Sequence, residues 1–429
     1  GKGKTFPICH IEEADAPLGI SQQTHSRRTH SQLKLAVQTR IRRRAMSNSV
    51  IVDVLLVPTR LCLWFQSLLY WFLVYGTAGI TAGLVLTRIA WRALKDPYGT
   101  FQWTVRTKQP ACLRDPTLGK HSYFWGRSSG LRFHYVTKGD SRNPLMLFLH
   151  GFPENWYSWR YQLCGFSGQY HTVALDLRGC GDSDAPSQLE DYSLEKLCYD
   201  IRDAIDELGH ASCVLVGHDW GGMLAWHFTL ERPDMVQRLV IMNAPHPASW
   251  LDAVLRRPYE LLRCGHACFF QLPLLPEFTL SLEDFKLVRS LLCGGRGGIR
   301  NRARRLTEAQ LEGYLYRLSQ PGGLTAPLNY YRSLLSNALY KHQEVEVPCL
   351  LIWGEADSIL VEGMSGGTRP YARGSVTLHT IPGCSHWVQQ DQPETVNRLL
   401  WEFLLDREKD VERCSARRGA GWAIKWTRE

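Results

Sequence analysis

Asp219 stands in the run Gly217-His218-Asp219-Trp220-Gly221-Gly222, directly after the apolar run Cys213-Val214-Leu215-Val216. A strand that ends in a Gly-x-x-x-Gly bend before a helix projects its middle residue from a tight turn, close to a helix N-terminus that favours negative charge. A serine there would form an acyl ester. A carboxylate forms no normal acyl-enzyme from an ester. It attacks an sp3 carbon and becomes an alkyl ester, which points to opening of an epoxide or displacement of a halide. The bland alternative is an aspartate that caps the next helix. Two flanking glycines and the preceding strand weigh against it.

An alkyl ester on the enzyme has to be cleared by water, and water needs a base. His386 lies in the loop Ile381-Pro382-Gly383-Cys384-Ser385-His386-Trp387, after the last apolar run, and is the candidate base. Asp357, in Gly354-Glu355-Ala356-Asp357 after the run Cys349–Trp353, would hold the imidazole tautomer and stabilise the imidazolium; Glu355 ranks second. The other place for such an acid, after the preceding strand, offers Asn243 rather than a carboxylate.

Placing these three residues together requires a sheet. Short apolar runs at Leu145–Leu149, Thr172–Leu177, Cys213–Val216, Arg238–Met242, Cys349–Trp353 and Val376–Thr380 read as buried strands. Helical stretches, such as Leu194–Leu208 with apolar residues at 194, 197, 201, 205 and 208, separate them. That alternation predicts a parallel sheet covered on both faces. Between residues 246 and 345 the strand pattern stops, and helices are expected at Leu251–Leu262, Leu280–Leu292, Thr307–Leu318 and Ala326–Leu339. A helical insertion between two strands of one sheet is a cap.

The order Asp219, Asp357, His386 is similar to the nucleophile–acid–base order of α/β-hydrolases. Residues 100–407 resemble an epoxide hydrolase of that fold, most like the membrane-anchored vertebrate type. The resemblance rests on His150-Gly151-Phe152-Pro153-Glu154, on the run from Asp176 to Pro186, on the bend at Asp219 and on Ser385-His386-Trp387. It implies an α/β-hydrolase core at 100–245 and 346–407: a mostly parallel central sheet with helices on both faces, interrupted by a helical cap at 246–345. It also implies that the backbone N–H groups of Phe152 and Trp220 stabilise an oxyanion, with His150 structural and Pro153 fixing the turn. Cap tyrosines that donate to the epoxide oxygen are implied as well. Ser319–Arg332 resembles the segment carrying one of them, which falls on Tyr331, with neighbouring Tyr330 ranked lower. At the place of the other stands His266, with no tyrosine within six residues; Tyr259 lies one to two turns earlier.

Two other readings compete. A haloalkane dehalogenase-like hydrolase would use Trp220 to hold halide, but Phe152 and the Asn329-Tyr330-Tyr331-Arg332 segment do not suit it. A catalytically weak, membrane-tethered binding protein of the same fold has only His266 in its favour. The reading that suits all these residues is an epoxide hydrolase acting on hydrophobic, lipid-like epoxides, with water as co-substrate and no metal or organic cofactor.

The ends of the chain say where it works. The 429 residues carry 50 Lys+Arg against 41 Asp+Glu. Residues 1–45 hold 9 basic and 3 acidic residues, residues 407–429 hold 7 and 4, and the rest holds 34 of each. The basicity belongs to the tails, so a folded nucleic-acid-binding domain is not expected. Thirteen cysteines without CxxC pairs give no metal cluster or disulfide framework. Residues 61–87 carry no charge, and these 27 residues exceed the roughly 20 that span a bilayer. Arg60 closes the stretch on one side, and Arg88, Arg92 and Lys95 on the other. A signal peptide or a buried core helix are the alternatives. A single-pass anchor is expected, in the endoplasmic reticulum, with the side of the catalytic body open. Residues 1–45 are expected to be an irregular tail or an untranslated extension preceding Met46, and 408–429 a basic tail. The arginines at 296, 300, 302, 304 and 305 read as a solvated loop or a headgroup contact.

Overall fold

A computed structural model describes residues 20–249, 265–295, 297–336, 344–360, 367–371 and 375–405, with the helical course alone for residues 20–55. The helix expected at Leu251–Leu262, the residue Tyr259 and the tail 408–429 lie outside the described residues. The chain divides into two units, residues 1–72 and 73–429.

The described part of the first unit is helix. It belongs to α1 (Ile20–Lys95), whose stretch from Leu56 onward is long and apolar enough to cross a membrane. An irregular tail is expected over residues 1–45, yet the chain is helical from Ile20. No glycine or proline occurs between residue 20 and Pro58, so nothing local interrupts the hydrogen-bond ladder.

In the second unit eight strands form one sheet. They are β1 (Lys120–Trp125), β2 (Arg132–Lys138), β3 (Leu145–Leu149), β4 (His171–Leu175), β5 (Cys213–His218), β6 (Val236–Met242), β7 (Cys349–Gly354) and β8 (Val376–Ile381). Their order is β1-β2-β4-β3-β5-β6-β7-β8. β1 and β2 pair antiparallel, as do β2 and β4, and every later pairing is parallel. Six strands follow the apolar runs of the sequence. The other two, β1 and β2, are half-exposed and charged, so no apolar run marks them.

Strand interiors alternate between two apolar layers. Met146 and Phe148 of β3 join the layer on one face, with Val214, Val216, Leu350 and Ile352. Leu145, Leu147 and Leu149 join the other, with Cys213, Leu215, Leu351 and Trp353. The period of two sends successive side chains to opposite faces, so a strand apolar at every position must be covered on both. After the short helices α2 (Pro97–Phe101) and α3 (Arg160–Phe166), α4 (Leu194–Glu207) is one cover, and its Leu194, Leu197, Ile201 and Ile205 lie in the second layer.

The register aligns the strand ends. Leu149 pairs with Gly217, His218 with Met242, Met242 with Ile352, and Gly354 with Ile381. The loops after β3, β5, β6, β7 and β8 therefore open on one edge of the sheet.

Between β6 and β7 the described residues are helical. α6 (Gly265–Phe269), α7 (Leu275–Cys293), α8 (Glu308–Leu318) and α9 (Thr325–Ser336) make up the described cap. α7 begins five residues before the expected Leu280 and breaks at Glu283, Asp284 and Phe285, all with positive φ. α8 starts at a capping box in which Thr307 and Gln310 bond reciprocally, a signal present in the sequence. Of the arginines at 296–305, Arg304 pairs with Glu394, and Arg296 is outside the described residues.

The segment from Asp176 to Pro186 is scaffolding. Asp176 accepts from Trp156 N–H at 2.8 Å, Asp182 N–H at 3.0 Å and His134 at 2.7 Å. Arg178 makes a two-toothed pair with Asp200 at 2.6 and 2.8 Å, with both side chains buried. Removing one partner of such a pair strands a buried charge, at a cost of about 3–5 kcal/mol. Asp200→Ala is therefore expected to destabilise the catalytic body by about that much, as read from its chemical-denaturation midpoint. A loss below ~1 kcal/mol would mean that Arg178 finds water or another acceptor.

Candidate active site

The bend after β5 is what the sequence leads one to expect. Asp219 has φ 50° and ψ −119°, a backbone conformation costing about 1–3 kcal/mol for a non-glycine residue. Close packing holds it there: a Cβ on Gly221 would lie 2.1 Å from the carbonyl oxygen of Leu149, and one on Gly151 would lie 2.4 Å from Asp219 Oδ1. The carboxylate does not cap α5 (Trp220–Glu231), which disposes of the bland reading. It turns instead towards the loop after β3, where Phe152 N–H donates to Oδ1 at 2.9 Å. Among the described hydrogen bonds, Trp220 N–H makes none to this carboxylate.

The second oxygen faces the base. His386 Nε2 lies 3.5 Å from Asp219 Oδ2, and His386 Nδ1 lies 2.7 Å from Asp357 Oδ2. Asp357 is fixed in turn: Oδ2 accepts from Asn243 Nδ2 at 2.6 Å, and Oδ1 from the N–H groups of Ile359 and Leu360 at 2.7 and 2.9 Å. Burial opposes ionisation of Asp357, but the His386 ring and these donors outweigh it and hold its pKa below the ordinary value. Glu355 bonds the backbone of Gly383 instead, so the acid at the ring is Asp357.

Burial likewise opposes charge on His386, yet Asp357 and Asp219 together raise its pKa to about 10. The ring is thus held as an imidazolium between two carboxylates. Loss of either negative charge would remove a stabilising partner and lower the pKa of the ring.

A second buried pair lies beneath the first, and sequence reasoning missed it. His218 Nδ1 lies 2.8 Å from Glu154 Oε2, and His218 Nε2 lies 2.9 Å from the carbonyl oxygen of His386. Each ring nitrogen thus has an acceptor within hydrogen-bonding distance. Burial opposes charge on Glu154, but His218 beside it lowers its pKa to about 2. Glu154 further accepts from Gly151 N–H, Gln389 and Gln390. It thereby ties the Phe152 loop to the backbone of His386. Both residues sit inside the quoted motifs; only their proximity was not legible.

The cap supplies the remaining walls. The Tyr331 ring meets Trp220 edge-on at 4.5 Å between centroids, Phe270 at 4.9 Å and Phe152 at 5.7 Å. Tyr330 turns away and donates to the carbonyl oxygen of Arg178 at 2.8 Å, so of the two neighbours Tyr331 stands at the site. The His266 ring lies 6.2 Å from Tyr331. Burial pushes its pKa below the ordinary value, against the pull of the Asp219 carboxylate. Near neutral pH His266 offers the N–H of a neutral imidazole. The Trp220 indole N–H is buried without a partner among the described residues.

A carboxylate raised on a strained bend at the end of a mostly parallel sheet, beneath a helical cap, is the architecture of an α/β-hydrolase with aspartate in the nucleophile's place. A family model described as alpha/beta hydrolase fold matches residues 144–264. The chain is 46% identical to mouse "Epoxide hydrolase 4" over 352 residues, covering 82% of this chain and 98% of the relative. It is 48% identical to "Epoxide hydrolase 3" of Xenopus tropicalis, over 82% and 96%. Among solved structures, the Bacillus megaterium epoxide hydrolase in complex with an inhibitor superposes with a TM-score of 0.60 at 32% identity, over 66% of this chain and 99% of that one. The chain belongs to the epoxide hydrolase family and is a hydrolase acting on ether bonds.

The electrostatics carry a signed expectation. Asp219→Asn removes one of the two anions beside His386, so the ring should titrate below the value of about 10 reached with both present. NMR titration of the imidazole in both proteins measures this, and an unchanged midpoint would mean that Asp219 does not act on the ring.

Proposed function

We propose that the protein converts hydrophobic epoxides to vicinal diols through an ester on Asp219. An Asp219 oxygen attacks an epoxide carbon, the C–O bond of the ring breaks, and Tyr331 donates its proton to the departing oxygen. His386 then passes its proton, through solvent, to the Tyr331 phenolate. The neutral ring removes a proton from water as that water attacks the ester carbonyl carbon. Phe152 N–H, already 2.9 Å from Oδ1, bonds to the oxyanion, and backbone donors of this kind contribute roughly 3–4 kcal/mol in acyl-transfer sites. Trp220 N–H would join it only after a shift of the ester. Collapse frees the diol and returns Asp219 as a carboxylate beside a protonated His386. The sum is epoxide plus water to diol.

One observation carries the reading: the Asp219 carboxylate shares its environment with a histidine whose other nitrogen is held by a second, fully bonded carboxylate. A halide-displacing enzyme would share that triad, but the relatives are epoxide hydrolases. The substrate is drawn as hydrophobic and lipid-like because Phe152, Trp220, Phe270 and Tyr331 wall the site. A single-pass anchor through the apolar part of α1, in a membrane of the endoplasmic reticulum, suits such a substrate. His266 is placed as an auxiliary donor to the epoxide oxygen.

His386→Gln is expected to slow turnover by about 10²–10⁴ and to trap the ester. The peptide containing Asp219 then gains the mass of the epoxide. A parent enzyme that turns over while this variant gains no mass would rule out the covalent route. His266→Tyr adds a phenol donor and is expected to raise the single-turnover rate of ring opening about tenfold. A rate unchanged or lower would remove His266 from the oxyanion's reach.

A further inference from the structure

Within the second unit, α1 runs from Leu73 to Lys95 and has two faces. Val74, Thr77, Ala78 and Ala82 are buried, at helical spacing, and Ala82 belongs to the same apolar cluster as Phe269 and Phe270 of the cap. The contact is close. A Cβ on Gly265, the residue before His266, would come 3.3 Å from Thr81 Oγ1. The helix that carries His266 thus packs directly on α1.

The opposite face breaks the rule for a surface helix. A helix lying on a water-soluble body turns polar residues outward. Here Leu73, Ile80, Leu84, Trp91 and Leu94 are exposed, with Leu94 at 81%. Both faces are apolar, so the outer one needs a partner other than water.

The apolar surface continues past the end of α1. A strap of residues 97–106 crosses the cap. Asp284 N–H donates to the carbonyl oxygen of Gln102 at 2.7 Å, and the Phe101 and Phe278 rings stack at 6.1 Å. Arg106 clamps Asp284 and Glu312 at 2.7 and 2.9 Å, which accounts for the left-handed break in α7 being held. Tyr98 is 90% exposed and Leu274 79%, and Trp103 and Phe278 are exposed beside them. Arg92 and Lys286 lie beside this surface, each paired with Glu283, and Lys95 stands over the Trp91 ring. Aromatic side chains at the border of an apolar surface, interleaved with cations, make up the composition found where protein meets the headgroup level of a bilayer.

We propose that the cap enters one leaflet of the lipid bilayer, with the outer face of α1 and the rim at Tyr98, Trp103, Leu274 and Phe278 in contact with lipid. The occupant is set by continuity. Residues 73–87 of the second unit belong to the same charge-free run, 61–87, and to the stretch Leu56–Lys95 that is apolar enough to span a membrane. Lipid epoxides then reach the cap from the leaflet, and α1 with α6, whose His266 ring lies 6.2 Å from Tyr331, stands between that lipid and the site. The inference deepens the reading of hydrophobic epoxides as substrates and rests on the anchor proposed with it.

Full-length protein in phosphatidylcholine vesicles tests it. A fluorescent amino acid replaces Leu84, Leu274 or Phe278 in turn, with Phe65 as a marker of the span and Arg142 as a marker of the opposite edge of the sheet. Nitroxide-bearing lipid is expected to remove most of the signal at 84, 274 and 278 and none at 142, while aqueous iodide acts only at 142. Labels at 84 and 274 open to iodide and untouched by the lipid quencher would overturn the docking. The label at 65 then reports separately whether the anchor itself has inserted. In a second arm, Leu274→Asp with Phe278→Asp is expected to raise KM about tenfold for an epoxide carried in vesicles and to leave KM for a short water-soluble epoxide unchanged. Equal effects on both substrates count against leaflet entry, whereas loss of diol from either substrate in the parent enzyme would count against the proposed reaction itself.

Discussion

The backbone of one residue constrains the rest. Asp219 is held at φ 50° by glycines that leave no space for a Cβ, and the bend delivers its carboxylate to the edge where five loops meet. A relaxed bend would allow the side chain to cap α5, as an aspartate before a helix commonly does. It would then face neither Phe152 N–H nor His386. The strained conformation thus converts an ordinary capping residue into a group with one oxygen held and the other facing an imidazole. The aligned register of β3, β5, β6, β7 and β8 provides the other parts, since each loop begins at the same height.

Two buried histidine–carboxylate pairs stand one behind the other. Asp357 holds the His386 ring by its side chain, while the Glu154–His218 pair holds His386 by its backbone carbonyl. The same Glu154 bonds Gly151 N–H, next to the donor that faces Asp219. The Phe152 loop and the His386 backbone are therefore referenced to one carboxylate. Buried charges are costly to assemble and give little net stability, which makes geometric definition the better account of why the chain contains them. On the proposed route, charge would also give the order of events a physical basis: the imidazolium is favoured while Asp219 is an anion and would be disfavoured after its esterification.

Much of this was legible in the sequence because it depends on local signals. Fully apolar strands show as runs, the capping box at Thr307 fixes the start of α8, and Gly217, Asp219 and Gly221 mark the bend. The order of Asp219, Asp357 and His386 gives the triad, and the geometry brings the three together. Other features were not legible because they depend on packing. β1 and β2 are half-exposed and carry no run. The Glu154–His218 pair joins residues 64 apart. The choice between Tyr330 and Tyr331 turns on which side of α9 faces the sheet edge, and their adjacency in sequence cannot decide it. The break in α7 comes from a strap about 180 residues away, to which Asp284 is bonded. The helical course from Ile20 has no apolar run to mark it over its polar part, and only the lack of glycine and proline before Pro58 signals it.

The cap is where these separate requirements meet. It must bring Tyr331 over Asp219, and α9 does so with Tyr330 anchored to the loop after β4 as a fixed neighbour. On the proposed route it must also keep water from the ester until His386 has lost its proton, which suits an aromatic wall made by Phe270 and Tyr331 of the cap with Phe152 and Trp220 of the core. A lid of that composition cannot be polar inside, and its outer rim beside α1 is not polar either. A water-soluble enzyme would gain nothing from an apolar exterior there, and would risk aggregation. Beside a membrane the same surface is matched to its surroundings. In the proposed docking, the apolar interior of the site and the apolar exterior that meets lipid are the two sides of a layer made of α6 and α1, packed on each other through Ala82, Phe269 and Phe270.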